Sequence, residues 1–169
     1  MKSIASIFIP LLFVSFSCQK TVQPIPKPIE GVWKVVTIQN VLPQGKFTNT
    51  NPQPGLFIFT GDYYSMVWMP RTVKLPDNKQ IWQPADQEKV DQFNSIIVNS
   101  GSYTISDSLL LTVPMVAKTP EFIGGKATYR WSFDNDTLSI VVLNIYSHND
   151  ILDEGAKKYP TIIKLLRLE

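Results

Sequence analysis

Apolar and polar positions alternate in short runs along most of the chain. Residues 31–39 set Trp33, Val35 and Thr37 against Val32, Lys34, Val36 and Ile38. Residues 56–60 and 63–69 are almost wholly apolar and are hinged on Gly61 and Asp62. Residues 102–106 and 109–113 flank Asp107 and Ser108, a two-residue turn in composition. Residues 127–133 place Tyr129, Trp131 and Phe133 on one face and Thr128, Arg130 and Ser132 on the other. After Asp134, Asn135 and Asp136 the chain returns over 137–143, and 161–168 makes a last extended run. A period of two bounded by Asp, Asn and Gly predicts strands joined as hairpins. The runs are eight in number.

One stretch has a different period. Across 86–99, Val90, Phe93 and Ile97 fall at helical spacing with Ile96 beside them, Asp86 stands where a cap would, and Gly101 follows. That spacing predicts an amphipathic helix of about twelve residues, lying over a mouth or flank of the sheet. No internal repeat is present.

A strand that is apolar on both faces is covered on both sides. Residues 56–60 and 63–69 are of this kind, with one face for an interior and the other for a helix or loops. Closing the sheet also removes its exposed edges. The expected fold is therefore mainly β, an eight-stranded antiparallel up-and-down barrel with one short helix. A sandwich of the same strands is the competing arrangement, and the succession of hairpins favours the barrel.

Composition adds the ends and the setting. The chain has 169 residues, 44% of them hydrophobic, which suits one folded domain. A net charge of +2 gives no reason to expect nucleic acid as a partner. Thirteen prolines imply long loops. Residues 1–17 have one lysine followed by an uncharged apolar stretch, too short to span a bilayer and interrupted by Pro10. They read as a signal peptide. Next comes Cys18, in the run Ser15, Phe16, Ser17, Cys18, which resembles the lipobox of bacterial lipoproteins. The resemblance implies lipidation of Cys18, and a thioether would dispose of the chain's single thiol. Gln19, where many inner-membrane lipoproteins carry Asp, leans toward the outer membrane. Residues 18–30 are rich in proline and form a tether of roughly 35 Å reach. The domain is expected over 31–169, attached to a bacterial cell envelope.

Gly31, Val32 and Trp33 resemble the Gly-x-Trp opening of lipocalins. Residues 55–66, the run 100–105 that opens with Ser100, Gly101, Ser102 and Tyr103, and the block 121–133 are similar to successive segments of bacterial lipocalin-like domains. The resemblance covers roughly 31–169 and implies that Arg167 packs across Trp33 to close the barrel floor. It also implies a small hydrophobic or amphipathic ligand. The chain departs from the family pattern in its proline-rich loop 70–84 and in 143–160.

Chemistry-bearing clusters are few. His148 is the single histidine and stands in a polar loop with Asp150, Asp153 and Glu154 nearby, which reads as solvated loop before it reads as a metal site. Serines have no histidine on a common element, Asp134 and Asp136 sit where turns favour Asp, and Gly124 and Gly125 form a loop hinge. No catalytic set, metal site or cofactor motif emerges. The inward rows expected to line the barrel are Tyr64, Met66 and Trp68, with Tyr129, Trp131 and Phe133, and with Tyr103 and Phe57 beside them. These side chains either fill a packed barrel or surround one small ligand. Trp82 has no periodic partner and could fold over the mouth or dock an envelope protein.

Overall fold

Two-residue turns organise the sheet. The computed structural model describes residues 27–70 and 83–169. Its strands are β1 (Gly31–Leu42), β2 (Gly45–Asn49), β3 (Leu56–Thr60), β4 (Tyr63–Trp68), β5 (Ile97–Ser106), β6 (Leu109–Ala117), β7 (Lys126–Asp134), β8 (Thr137–Tyr146) and β9 (Thr161–Arg167). At the β3–β4, β5–β6 and β7–β8 turns the first loop residue has positive φ: Gly61 at 55°, Asp107 at 47° and Asn135 at 52°. Glycine, Asp and Asn are the residues that tolerate this region.

Every neighbour pair is antiparallel, in the order β1, β3, β4, β5, β6, β7, β8, β9, and β9 pairs back onto β1. Eight strands thus close an up-and-down barrel, and the sandwich is ruled out. The sequence missed the ninth strand. β2 pairs with the far half of β1, from Ile38 to Leu42, where β3 no longer reaches. Its residues are exposed or nearly so, so it leaves no apolar alternation to read.

A bulge between Val35 and Thr37 shifts β1 by one place. Thr37 was expected on the face of Trp33, but the extra residue turns Ile38 inward instead, fully buried. Elsewhere the inward rows alternate, except where further bulges interrupt β6 opposite Ser100 and Gly101 and β8 opposite Thr128 and Tyr129. Core residues include Trp33, Phe57, Phe59, Met66, Tyr103, Leu110, Leu138, Ile140, Ile163 and Leu165. Each large apolar side chain buried this way contributes about 1.5–3 kcal/mol.

The helix is shorter than its spacing predicted. α1 covers Asp86–Ser95 and is capped at Ala85, whose N–H donates to Glu88 Oε2 at 2.8 Å. Ile96 ends it and Ile97 opens β5, paired with Trp68. The run Ile96, Ile97, Val98 is β-branched, and stiff side chains of this kind favour a pleated strand. Val90 and Phe93, expected to be buried, are exposed. Gly101 is no helix stop. It lies in β5 beside a bulge, where an added Cβ would collide with the carbonyl oxygen of Val113 and with Pro114 Cα. The outer faces of 56–60 and 63–69 also differ from expectation: Leu56, Tyr63 and Val67 are exposed among the described residues.

A second helix, α2 (Glu154–Lys158), connects β8 to β9. Asp153 caps it by accepting from the Ala156 N–H. Residues 1–17, expected to be a signal peptide, Cys18, most of the expected tether and Trp82 lie outside the described residues.

Candidate functional site

The barrel has a sealed end and an open end. At the sealed end Trp33 is fully buried, and its indole N–H donates to the Ile29 carbonyl oxygen at 2.9 Å. Arg167 is the register partner of Trp33 and lies over its ring, 4.1 Å from the centroid. The guanidinium donates to the carbonyl oxygens of Glu30, Pro28 and Glu169. Residues 27–30 therefore belong to the floor. Ile29 is fully buried, Glu30 accepts from the Gly61 N–H, and Lys27 pairs with Asp62 at 2.7 Å. The Lys27 ammonium also sits 4.4 Å above the Tyr103 ring.

Several of the expected lining residues belong to this sealed half. Phe133 packs against Trp33 and Trp131 with ring centroids 5.8 and 5.7 Å apart and is partly exposed at the rim. Tyr103 packs edge-on to Phe59 at 5.2 Å. Its hydroxyl is buried without a partner, and burial, with Glu30 and Asp62 nearby, pushes its pKa up to about 12. Tyr64 is inward on β4, as alternation predicts, while Tyr63 beside it is 59% exposed. Burial raises the Tyr64 pKa, with Tyr129 adding to the rise and the Thr112 hydroxyl opposing it. Even so, Tyr64 Oη and Thr112 Oγ1 make no hydrogen bond of good geometry.

Toward the open end the side chains stop meeting. A cavity of about 310 Å3 lies between Phe57, Met66, Trp68, Tyr129, Val142 and Ile163. Its outer part is walled by Phe122, Ile145, Ile97, Ala117 and Pro70, with Asn94, Lys118 and Asp153 on the rim. Of the residues expected to line the barrel, Met66, Trp68, Tyr129 and Phe57 reach this space; Tyr64, Tyr103, Trp131 and Phe133 do not. Tyr129 is buried, and desolvation pushes its pKa up to about 12. It is a neutral hydroxyl at physiological pH.

Asn99 is the residue that sequence reasoning missed. It points inward from β5, is 4% exposed, and lines the cavity between its register partners Met66 and Ala117. Reading 86–99 as helix hid it. The alternation Asn99, Gly101, Tyr103 was the available signal, since all three are buried.

A larger depression of about 430 Å3 lies outside the barrel, between α1 and Met69, and is open to solvent. His148 stays in an exposed loop, where its ring Nδ1 and its backbone N–H both face the Glu121 carbonyl oxygen. Among the described residues no three His, Cys, Asp or Glu side chains converge on a point. Asp150 pairs with Lys126 at 2.6 Å, and that hydrogen bond raises the Lys126 pKa.

No curated protein and no solved structure matches the chain. The family model described as a lipocalin-like domain matches residues 30–161. That span runs from the barrel floor to the first residue of the closing strand, and the chain belongs to the lipocalin-like domain family.

Proposed function

We propose that this protein is a membrane-anchored lipocalin-like lipoprotein that binds a small hydrophobic or amphipathic molecule in the open half of its barrel, without catalysing a reaction. One observation carries the reading: the interior is filled at the floor and left open, at about 310 Å3, at the other end. Ligand pockets start near this size and are apolar with a few polar groups. A barrel whose only task was structural would gain by filling the space, because each void forfeits packing contacts.

The anchor rests on Ser15, Phe16, Ser17 and Cys18 and on the proline-rich stretch that follows. Residues 27–30 dock at the sealed end, so a lipid on Cys18 would tether the floor toward the membrane and turn the cavity away from it. An outer-membrane position in a bacterial envelope fits the absence of Asp after the cysteine.

The test is to fill the space. Val142→Trp places an indole in the cavity. An apolar fluorescent probe titrated into the wild-type chain should bind and raise its melting temperature, and the filled variant should stay folded and lose the binding. Equal binding by both chains would place the probe elsewhere and end the proposal. For the anchor, metabolic labelling with a fatty acid should mark the wild-type chain and leave Cys18→Ala unlabelled.

A further inference from the structure

Resting on the reading of the cavity as a ligand site, we propose that it selects a compact, uncharged ligand whose hydroxyl or N–H group donates a hydrogen bond to Asn99. Three observations converge on this class.

Size comes first. A cavity of about 150 Å3 accommodates benzene. By the same ratio, the 310 Å3 here holds on the order of a dozen non-hydrogen atoms, a fused bicyclic or a short branched molecule.

Charge comes second. Lys118 and Asp153 are the charged side chains on the wall, both at the rim and both engaged. The Lys118 ammonium donates to the Phe93 carbonyl oxygen at 2.7 Å and lies over the Phe93 ring. The Asp153 carboxylate accepts from the Ala156 N–H at 3.0 Å. Deeper in, the walls are Phe57, Met66, Trp68, Val142 and Ile163, where an ionised group would have no counter-charge.

Third, a single orphan sits in the wall of this space. Five buried side-chain atoms lack a hydrogen-bond partner among the described residues: Tyr64 Oη, Asn99 Oδ1, Tyr103 Oη, Thr112 Oγ1 and the Trp131 indole nitrogen. Only Asn99 belongs to a cavity wall. Buried polar atoms are ordinarily paired. An unpaired acceptor held in the wall of an apolar cavity is accounted for by a donor that arrives with the ligand.

Two probes of matched size separate the terms. Naphthalene and 2-naphthol differ by one hydroxyl, and equilibrium dialysis against the full chain gives both dissociation constants. Asn99→Leu removes the amide at similar volume, and Asn99→Val serves as a second variant should the first unfold. The ratio of naphthol to naphthalene affinity should fall about fivefold or more in either variant, the scale of one neutral hydrogen bond. An unchanged ratio, with both probes still bound, overturns recognition by Asn99 and leaves the ligand cavity standing. Failure of both probes to bind the wild-type chain overturns the cavity reading with it. Tighter binding of decanoate than of decanol, lost in Lys118→Ala, would show an anionic ligand held at the rim and overturn the uncharged class.

Discussion

Arg167 does more at the barrel seam than its exposed position suggests. One guanidinium covers the buried Trp33 ring and donates to three carbonyl oxygens, two of them in the segment that plugs the floor. Arg167→Ala should cost about 1–3 kcal/mol in urea unfolding. Arg167→Lys should recover only part, because an ammonium keeps the charge and loses the planar fork. Buried phenols set a second residue-level expectation. Tyr103 and Tyr129 hold their protons more tightly in the folded chain, with pKa values of about 12 against an ordinary 10. Between those values the unfolded chain binds fewer protons than the folded one, so stability falls as pH rises. Their contribution is complete below pH 10 and is lost as pH climbs through about 12. The urea midpoint should drop across that window, and Tyr129→Phe should make the drop shallower.

Among the elements, α1 and β5 show how a periodic reading can go astray. Phe93 and Val90 carry the helical spacing but are exposed, so Val90→Ala should change stability by no more than about 0.5 kcal/mol. Gly101 is the opposite case, because its Cβ would meet the β6 backbone on the inside of the bulge. Gly101→Val should therefore destabilise by several kcal/mol, measured as a fall in urea midpoint, since backbone cannot move aside as a flexible side chain can. Strand positions and three of the turns were legible in the sequence because alternation and turn chemistry are local signals, whereas the Trp33–Arg167 pair, a long-range contact, came from the family resemblance alone. Three features were not legible. β2 carries no apolar face, the β1 bulge adds a residue without altering composition, and the β5 start is decided by pairing of Ile97 with Trp68, a long-range event. The candidate site was half legible for the same reason. Alternation gives the inward rows, but which side chains meet and which leave a gap depends on depth along the barrel. Tyr129 and Trp131 are adjacent members of one row, and only Tyr129 reaches the cavity.

For the molecule as a whole, closure needs more than the β1–β9 seam. The barrel's floor is completed by residues that precede its first strand. Ile29 is buried as fully as any strand residue, its carbonyl oxygen accepts a hydrogen bond from the Trp33 indole N–H, and Lys27 and Glu30 tie the β3–β4 turn to the same end. A chain starting at Gly31 would expose the underside of Trp33 and orphan its N–H. Loss of a buried isoleucine is worth about 2–3 kcal/mol, and an unsatisfied buried donor about 1–3 more. At roughly 2–4 °C per kcal/mol for a domain of this size, the shortened chain should melt on the order of 10 °C below one starting at Lys27. The deficit should appear without loss of the cavity, which lies at the other end, so probe affinity at low temperature should be the same for both chains. Equal melting temperatures would mean that the floor segment rests on the barrel without supporting it. A parallel loss of affinity would mean that the two ends are coupled, against the division of the interior into a packed half and an open one.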